Sequence, residues 1–300
     1  MAFAAFLLPM PSPSPAASLA HASLRRARPL LGTIVEIEIC ADRPYDDLHA
    51  AIDEAFASIE QVHALMSYHD AGSELSRLNR SASSTAQRVD PRTYAVLQAA
   101  LQFAQISEGA FDPSVAPRLA ALGVLPRLGG PVDEDATWRD VDLRDGELVR
   151  FLKPLRLDLG GIAKGFAVDE AVETLRRLEI DEILINAGGD LRIAGHQQRG
   201  IMLRDPTAPM RGGHRVSLQN AALATSAAYF SRSKFHNREI SALIDGRSRE
   251  PYAGASSVSV RAKTCMAADA LTKVVLFADP ATAEHCLARF AANAYLLVTP

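Results

Sequence analysis

The chain has 300 residues, 48% of them hydrophobic and 22% charged, with a formal net charge of −3. That length and apolar content are ample for a real core, and the scattered Lys and Arg exclude a basic nucleic-acid footprint or an acidic tail. The three cysteines, Cys40, Cys265 and Cys286, are far apart and form neither a CxxC pair nor a Cys/His zinc spacing. They read as small buried apolar residues rather than as a disulfide framework.

Residues 1–27 read as a disordered leader and residues 28–300 as one folded domain. Ala2 to Met10 is apolar but too short to span a bilayer, and Pro11, Pro13 and Pro15 follow it. Arg25, Arg26 and Arg28 come after the apolar stretch, whereas a signal peptide begins with its basic residues, so a cleaved signal is the lesser alternative. No other segment reads as a membrane span. The cytoplasm is the favoured compartment, with the periplasm or a membrane surface as alternatives.

Ile34 to Ile39 alternates apolar and acidic residues, the pattern of a half-buried strand. Pro44 opens a helical pattern in which Leu48, Ile52, Phe56, Ile59, Val62 and Leu65 recur at spacings of three and four. Asp90-Pro91 supplies an N-cap and a first-turn proline for a second helix carrying Val96, Leu97, Leu101 and Ala104. Leu125 to Gly146, rich in Gly, Pro and Asp, predicts loop or short strand. Leu155 to Leu159 predicts a short strand running into a Gly-Gly turn, followed by a helix from Ala163 to Leu178 with Val168, Val172 and Leu175 inward. Short strands are predicted at Glu182 to Asn186, Leu191 to Ala194, Gly200 to Leu203, Ile240 to Ile244 and Ser257 to Arg261. Helices at Cys265 to Phe277 and Ala281 to Ala292 and a strand at Tyr295 to Val298 close the chain. The mixture predicts an α+β fold, a single domain with mixed β-sheets packed by helices.

Neither GxxxxGK[ST] nor GxGxxG after a strand is present, and the eight histidines show no HxxxH or HxH pairing. In Leu157 to Gly165 a strand runs through Gly160-Gly161 into a helix, whose free N–H groups can hold an anion. Lys164 sits where the helix dipole disfavours a cation, which a nearby phosphate or carboxylate would explain; a plain turn with an exposed Lys fits the segment equally well. Asn186-Ala187-Gly188-Gly189-Asp190 reads as a hairpin turn, or as glycines admitting a ligand. Asp269 and Thr272, three apart on one helix face, suit a hard cation, yet a helix-surface Asp explains the spacing by itself. Gly109-Ala110-Phe111-Asp112-Pro113 could stack a flavin ring and hold a ring nitrogen, or be a turn with a buried Phe.

Taken together with Leu31-Gly32-Thr33, Ser73-Glu74-Leu75-Ser76-Arg77-Leu78-Asn79, Phe166-Ala167-Val168-Asp169 and Ala224-Thr225-Ser226, and in this order, these segments make a chain that resembles the ApbE family, the FAD:protein FMN transferases. The resemblance implies one α+β domain binding FAD with Mg2+ at its diphosphate. A Ser or Thr hydroxyl of an acceptor flavoprotein would attack the FMN-side phosphorus, and AMP would leave. It implies FAD contacts from Leu31, Met66, Ala110, Phe111, Asp112, Asp158, Lys164 and Ile244, and Mg2+ ligands from the Gly161 carbonyl, Asp269 and Thr272.

Two positions depart from the family pattern. Lys273 stands where the family has a further Thr ligand. Either it points away, at the edge of the site, with weakened metal binding and Thr272 as the hydroxyl ligand, which is the favoured expectation, or it contacts a phosphate itself and takes over part of the metal's work. Ala242-Leu243-Ile244-Asp245-Gly246 stands where the family has His-x-x-Asp-Pro, whose His deprotonates the acceptor. His236 is the expected substitute base if its loop folds back, and Arg247 is expected to keep a positive charge at the catalytic centre. The alternatives are an FAD-binding protein without transfer activity, or an Mg-dependent FAD pyrophosphatase giving FMN and AMP.

Overall fold

The computed structural model describes residues 5–7, 22–204, 212–227, 232–235, 238–254 and 256–297. In chain order the strands are β1 (Ala5–Leu7), β2 (Ala22–Leu30), β3 (Thr33–Ala41), β4 (Gln87–Arg88), β5 (Val141–Arg144), β6 (Leu148–Phe151), β7 (Glu182–Ala187) and β8 (Asp190–Ala194). They continue with β9 (Arg199–Arg204), β10 (Gly212–Leu218), β11 (Ala221–Ala227), β12 (Arg232–Phe235), β13 (Arg238–Ser241), β14 (Ser257–Ala262) and β15 (Asn293–Leu297). The helices are α1 (Tyr45–Met66), α2 (Glu74–Ser81), α3 (Pro91–Ile106), α4 (Ala116–Ala121), α5 (Ala163–Arg177), α6 (Cys265–Phe277) and α7 (Pro280–Arg289).

A seven-stranded sheet in the order β15-β14-β11-β8-β7-β3-β2 forms the centre. Every strand pairing described is antiparallel, and the α+β class stands. Side chains alternate across these strands and so build two cores. Ile183, Ile185, Ala222, Ala224, Val258 and Val260 face helices α1, α5 and α6 in the larger core. Leu184, Leu191, Ile193 and Leu223 face Ile201, Leu203, Val216 and Leu218 of the smaller sheet, in which β9 lies between β1 and β10.

The helices form where period and caps agree. On α1, Leu48, Ile52, Phe56, Ile59 and Val62 make one buried stripe, and Asp46 and Asp47 sit in the first turn where the dipole favours acids. The Asp90 carboxylate caps α3 by accepting from the Arg92 backbone N–H at 2.9 Å. Thr264 caps α6, and Asp169 of α5 accepts from the Cys265 and Met266 backbone N–H groups, each at 2.9 Å. This ties the middle of α5 to the start of α6. Gly165 makes their contact close, because a Cβ there would lie 2.3 Å from the Cys265 carbonyl oxygen.

Three expectations change. The strand β2 begins at Ala22, inside the stretch read as leader, and pairs through to Leu30 with β3. Its Arg25-Arg26-Ala27-Arg28-Pro29 lacks an apolar alternation because it is an edge strand, with Arg25 paired to Glu36 and Arg28 to Asp53. Leu155 to Leu159 is not a strand. Its middle is held by the Asn79 side chain, which donates to the Leu157 carbonyl at 2.9 Å and accepts from the Leu157 N–H at 2.8 Å, and by the Pro113 carbonyl, which accepts from the Asp158 N–H at 2.8 Å. The strand expected at Ile240 to Ile244 ends at Ser241, and Ile244 makes an isolated bridge to Pro251. Cys265 and Cys286 are buried and Cys40 is half-buried, all three as free thiols. No helix among the described residues is long and apolar enough to cross a membrane.

Candidate functional site

A cavity of about 780 Å³ opens where the end of α1, the start of α5 and the loop at 110–113 meet. Leu31, Met66, Ala110, Phe111, Asp112, Asp158, Lys164 and Ile244 all line it, although more than two hundred residues separate the first from the last. One part of the wall is apolar, with Leu31, Val62, Met66, Phe111, Leu119 and Val124; another carries Gly160, Gly161, Lys164 and Lys273. A flat ring system fits the first and an anion the second.

Two sequence motifs shape one rim. Leu31 and Gly32 form the β2–β3 turn with φ of 55° and 71°, the left-handed region. Thr33, directly after, packs against Gly188, where a Cβ would meet the Thr33 Oγ1 at 2.4 Å. Gly188 and Gly189 form the two-residue β7–β8 turn, which the Asn186 Oδ1 closes by accepting from the Gly189 N–H at 2.9 Å. That turn places Asp190 under Lys164.

The Lys164 Nζ donates to the Asp190 Oδ2 at 2.6 Å, which explains a cation in the first turn of α5: its partner is a carboxylate of the chain itself. Burial opposes charge on this ammonium, but Asp190 and then Asp269 outweigh it and hold the proton more tightly than usual. Burial likewise pushes the Asp190 carboxyl up, against the pull of Lys164. Burial also raises Asp158, against the Gly160 N–H donated at 3.1 Å and the charges of His69 and Lys273. The expected free N–H groups at the start of α5 are partly used. Ala163 N–H donates to the Leu159 carbonyl at 2.8 Å and Gly165 N–H to the Asp269 Oδ2 at 3.3 Å.

The residues expected to ligate Mg2+ lie together, but the side chains of Asp269 and Thr272 already have partners within the chain. Thr272 is fully buried; its hydroxyl donates to the Asp269 carbonyl at 2.7 Å and lies 2.7 Å from the Ser226 hydroxyl. The Asp269 Oδ1 accepts from the Lys273 ammonium, which also donates to the Asp269 carbonyl at 3.0 Å. Lys273 therefore does not point away. It lies four residues after Asp269, and that spacing puts both on one face of α6. Its stem passes Gly161, where a Cβ would meet the Lys273 Cε at 3.4 Å. An ammonium has donors and no acceptor. A divalent ion within ~4 Å of it would be repelled by about 8 kcal/mol at an effective dielectric of ~20. No group of three His, Cys, Asp or Glu side chains among the described residues is arranged to hold a metal. This donor set does not fit Mg2+.

The remaining positions divide. Asp112 lines the cavity, but Oδ1 accepts from the Ser114 N–H and Oγ, each at 2.7 Å, and Oδ2 pairs with Arg249 at 3.1 Å. A carboxylate so engaged is not free for a ring nitrogen. Arg247 is not among the lining residues; its guanidinium donates to the Phe277 carbonyl at the end of α6 and pairs with Asp245 at 3.5 Å. His236 lies outside the described residues. Ala242, Leu243 and Ile244 line the wall and bring no base. Gly246 fits where a Cβ would lie 2.2 Å from the Gly109 carbonyl oxygen. Sequence reasoning missed Arg249, which docks this segment on Asp112, and His63, Tyr68 and His69 on the wall. No local pattern marks them; only the helix end at Met66, followed by polar residues, points that way.

The ApbE family profile matches residues 31–296. The FAD:protein FMN transferase of Treponema pallidum is 30% identical over 280 residues, covering 82% of this chain and 76% of that protein. Its namesake of Vibrio cholerae is 28% identical, with 81% and 78% covered. Among solved structures, the ApbE protein of Thermotoga maritima superposes with a TM-score of 0.80 at 24% identity, covering 92% of this chain and 94% of that one. The flavin transferase ApbE of Vibrio cholerae superposes at 0.78 with 23% identity, covering 93% and 94%. With the family profile spanning residues 31–296 and a relative 30% identical over most of the chain, this chain belongs to the ApbE family.

Proposed function

We propose that the chain binds FAD in the cavity and transfers the FMN half to a Ser or Thr hydroxyl of an acceptor protein, releasing AMP. The observation that carries the reading is the convergence of all eight expected FAD positions on one cavity. The apolar wall suits the ring system, and Lys164 and Lys273 beside the Gly160-Gly161 turn suit the diphosphate.

Phosphoryl transfer needs positioning and charge neutralisation more than covalent help. The acceptor oxygen forms a bond to the FMN-side phosphorus. The bond from that phosphorus to the bridging oxygen breaks, and AMP leaves with the electron pair. Lys164 and Lys273 hold the diphosphate against the charge that gathers on the leaving side. The hydroxyl proton passes to a group on the wall other than the missing His. His63, His69, Asp70 and Asp158 are proton acceptors on the wall whose described side-chain contacts include no Arg.

A second reading, FAD binding without transfer, is favoured by one observation: Ala242, Leu243 and Ile244 face the cavity without a base. Incubating the protein with FAD and a candidate acceptor, with and without Mg2+, separates the readings. FMN found on the acceptor by mass spectrometry is the expected result. Free FMN and AMP would mean hydrolysis, and unchanged FAD would mean binding alone.

A further inference from the structure

We propose that the Lys273 ammonium is a diphosphate ligand built into this chain, which takes the place of a divalent cation, so that FAD is bound in the absence of metal. The inference rests on the reading of the cavity as an FAD site. Four observations carry it. Lys273 lines the cavity, and its side chain is only 15% exposed. Its stem lies against Gly161, and the Phe111 ring is as close to that same point, 3.4 Å from where a Cβ on Gly161 would sit. Its ammonium is fixed by two oxygens of Asp269, the carbonyl and Oδ1, so two of its three hydrogens are used in described contacts and one remains for a ligand oxygen. The two side chains expected as metal ligands, Asp269 and Thr272, are occupied by one another, by Ser226 and by Lys273 itself.

The diphosphate of a dinucleotide carries one negative charge on each phosphorus, and the wall offers two ammonium groups that can donate to it, Lys164 and Lys273. Each is anchored by a buried carboxylate, Asp190 and Asp269 respectively, so each is held in place before the ligand arrives. A cation already positioned loses little side-chain freedom on binding. Lys273 is a positioning group for the diphosphate and need not take or give a proton.

The test is a fluorescence titration of FAD into the full chain in excess EDTA and in excess Mg2+, with thermal melting of every variant. Wild type is expected to bind FAD in EDTA, within about twofold of its Kd in Mg2+. Lys273→Met, which keeps the stem and loses the charge, should weaken FAD in EDTA about 10- to 100-fold, the loss of one charge-assisted hydrogen bond. Lys273→Thr should weaken it similarly in EDTA and recover when Mg2+ is added, because a hydroxyl oxygen can ligate and the Asp269 Oδ1 is released. Lys273→Arg keeps the charge and should bind in EDTA within a few-fold of wild type.

Tighter wild-type binding in Mg2+ by about tenfold or more would overturn the proposal. So would Lys273→Met or Lys273→Thr binding like wild type in EDTA. If Lys273→Arg loses as much as Lys273→Met, the position serves packing and the proposal fails. Wild type that binds no FAD in either buffer would remove the FAD reading itself, and this inference with it.

Discussion

Asn79 stands in for a neighbouring strand. Its amide satisfies both the N–H and the carbonyl of Leu157, at 2.8 and 2.9 Å, in a fully buried setting. Asn79→Ala leaves two buried backbone groups without partners, and each costs about 1–3 kcal/mol. Loss of roughly 2–6 kcal/mol in urea unfolding is expected, and a loss within about 0.5 kcal/mol, the usual range for an exposed surface site, would show that the loop finds other partners. Asp158, next in the chain, makes a pH-dependent prediction. Burial raises its proton affinity in the folded chain. The stabilisation that comes with protonation is therefore complete below the unfolded-state pKa and is lost as pH rises through the folded one. Asn does not titrate. Without FAD, the melting temperature of Asp158→Asn minus that of wild type should rise from about pH 4 to about pH 7. A difference that stays flat, or falls, would mean that the carboxylate is satisfied when charged.

Helices α5 and α6 are joined by small residues and one acid. Gly165 admits the Cys265 carbonyl, and Asp169 caps the start of α6 with both oxygens. Gly165→Ala cannot keep that spacing, so it should destabilise the chain by about 1–3 kcal/mol in urea. Because the same helix starts carry Lys164 and Asp269, it should also weaken FAD. A variant of unchanged stability would show that the two helices slide apart without cost. Beside them β11, Ala221–Ala227, is buried along almost its whole length under α6. Its run Ala-Ala-Leu-Ala-Thr-Ser-Ala has little strand propensity and no alternation. Small side chains there let the helix approach the sheet, and that requirement is set by α6 rather than by β11.

The cavity joins segments from both ends of the chain, so its ligand should stabilise the molecule as a unit. At a hundredfold excess over its Kd, a ligand bound only by the folded state adds about 2.7 kcal/mol. For a chain of this size that raises the melting temperature by roughly 4–8 °C. FAD should produce that shift, and FMN at the same concentration a smaller one, since it lacks the second phosphate and the adenosine. Equal shifts would count against the FAD reading. The sequence by itself determined the long helices and the cap of α3, because a period of 3.6 and a side chain capping its own helix are local properties. It also brought out the positions that line the cavity, through their motifs. Only the tertiary structure decided that β2 pairs as an edge strand, that Leu155 to Leu159 is held by Asn79, that Arg247 turns to Phe277, and that Lys273 turns onto Asp269 beside Gly161. In each case the deciding partner comes from elsewhere in the chain or from a choice of rotamer: an unpaired backbone group or a buried charge takes whichever partner the packed chain brings within reach.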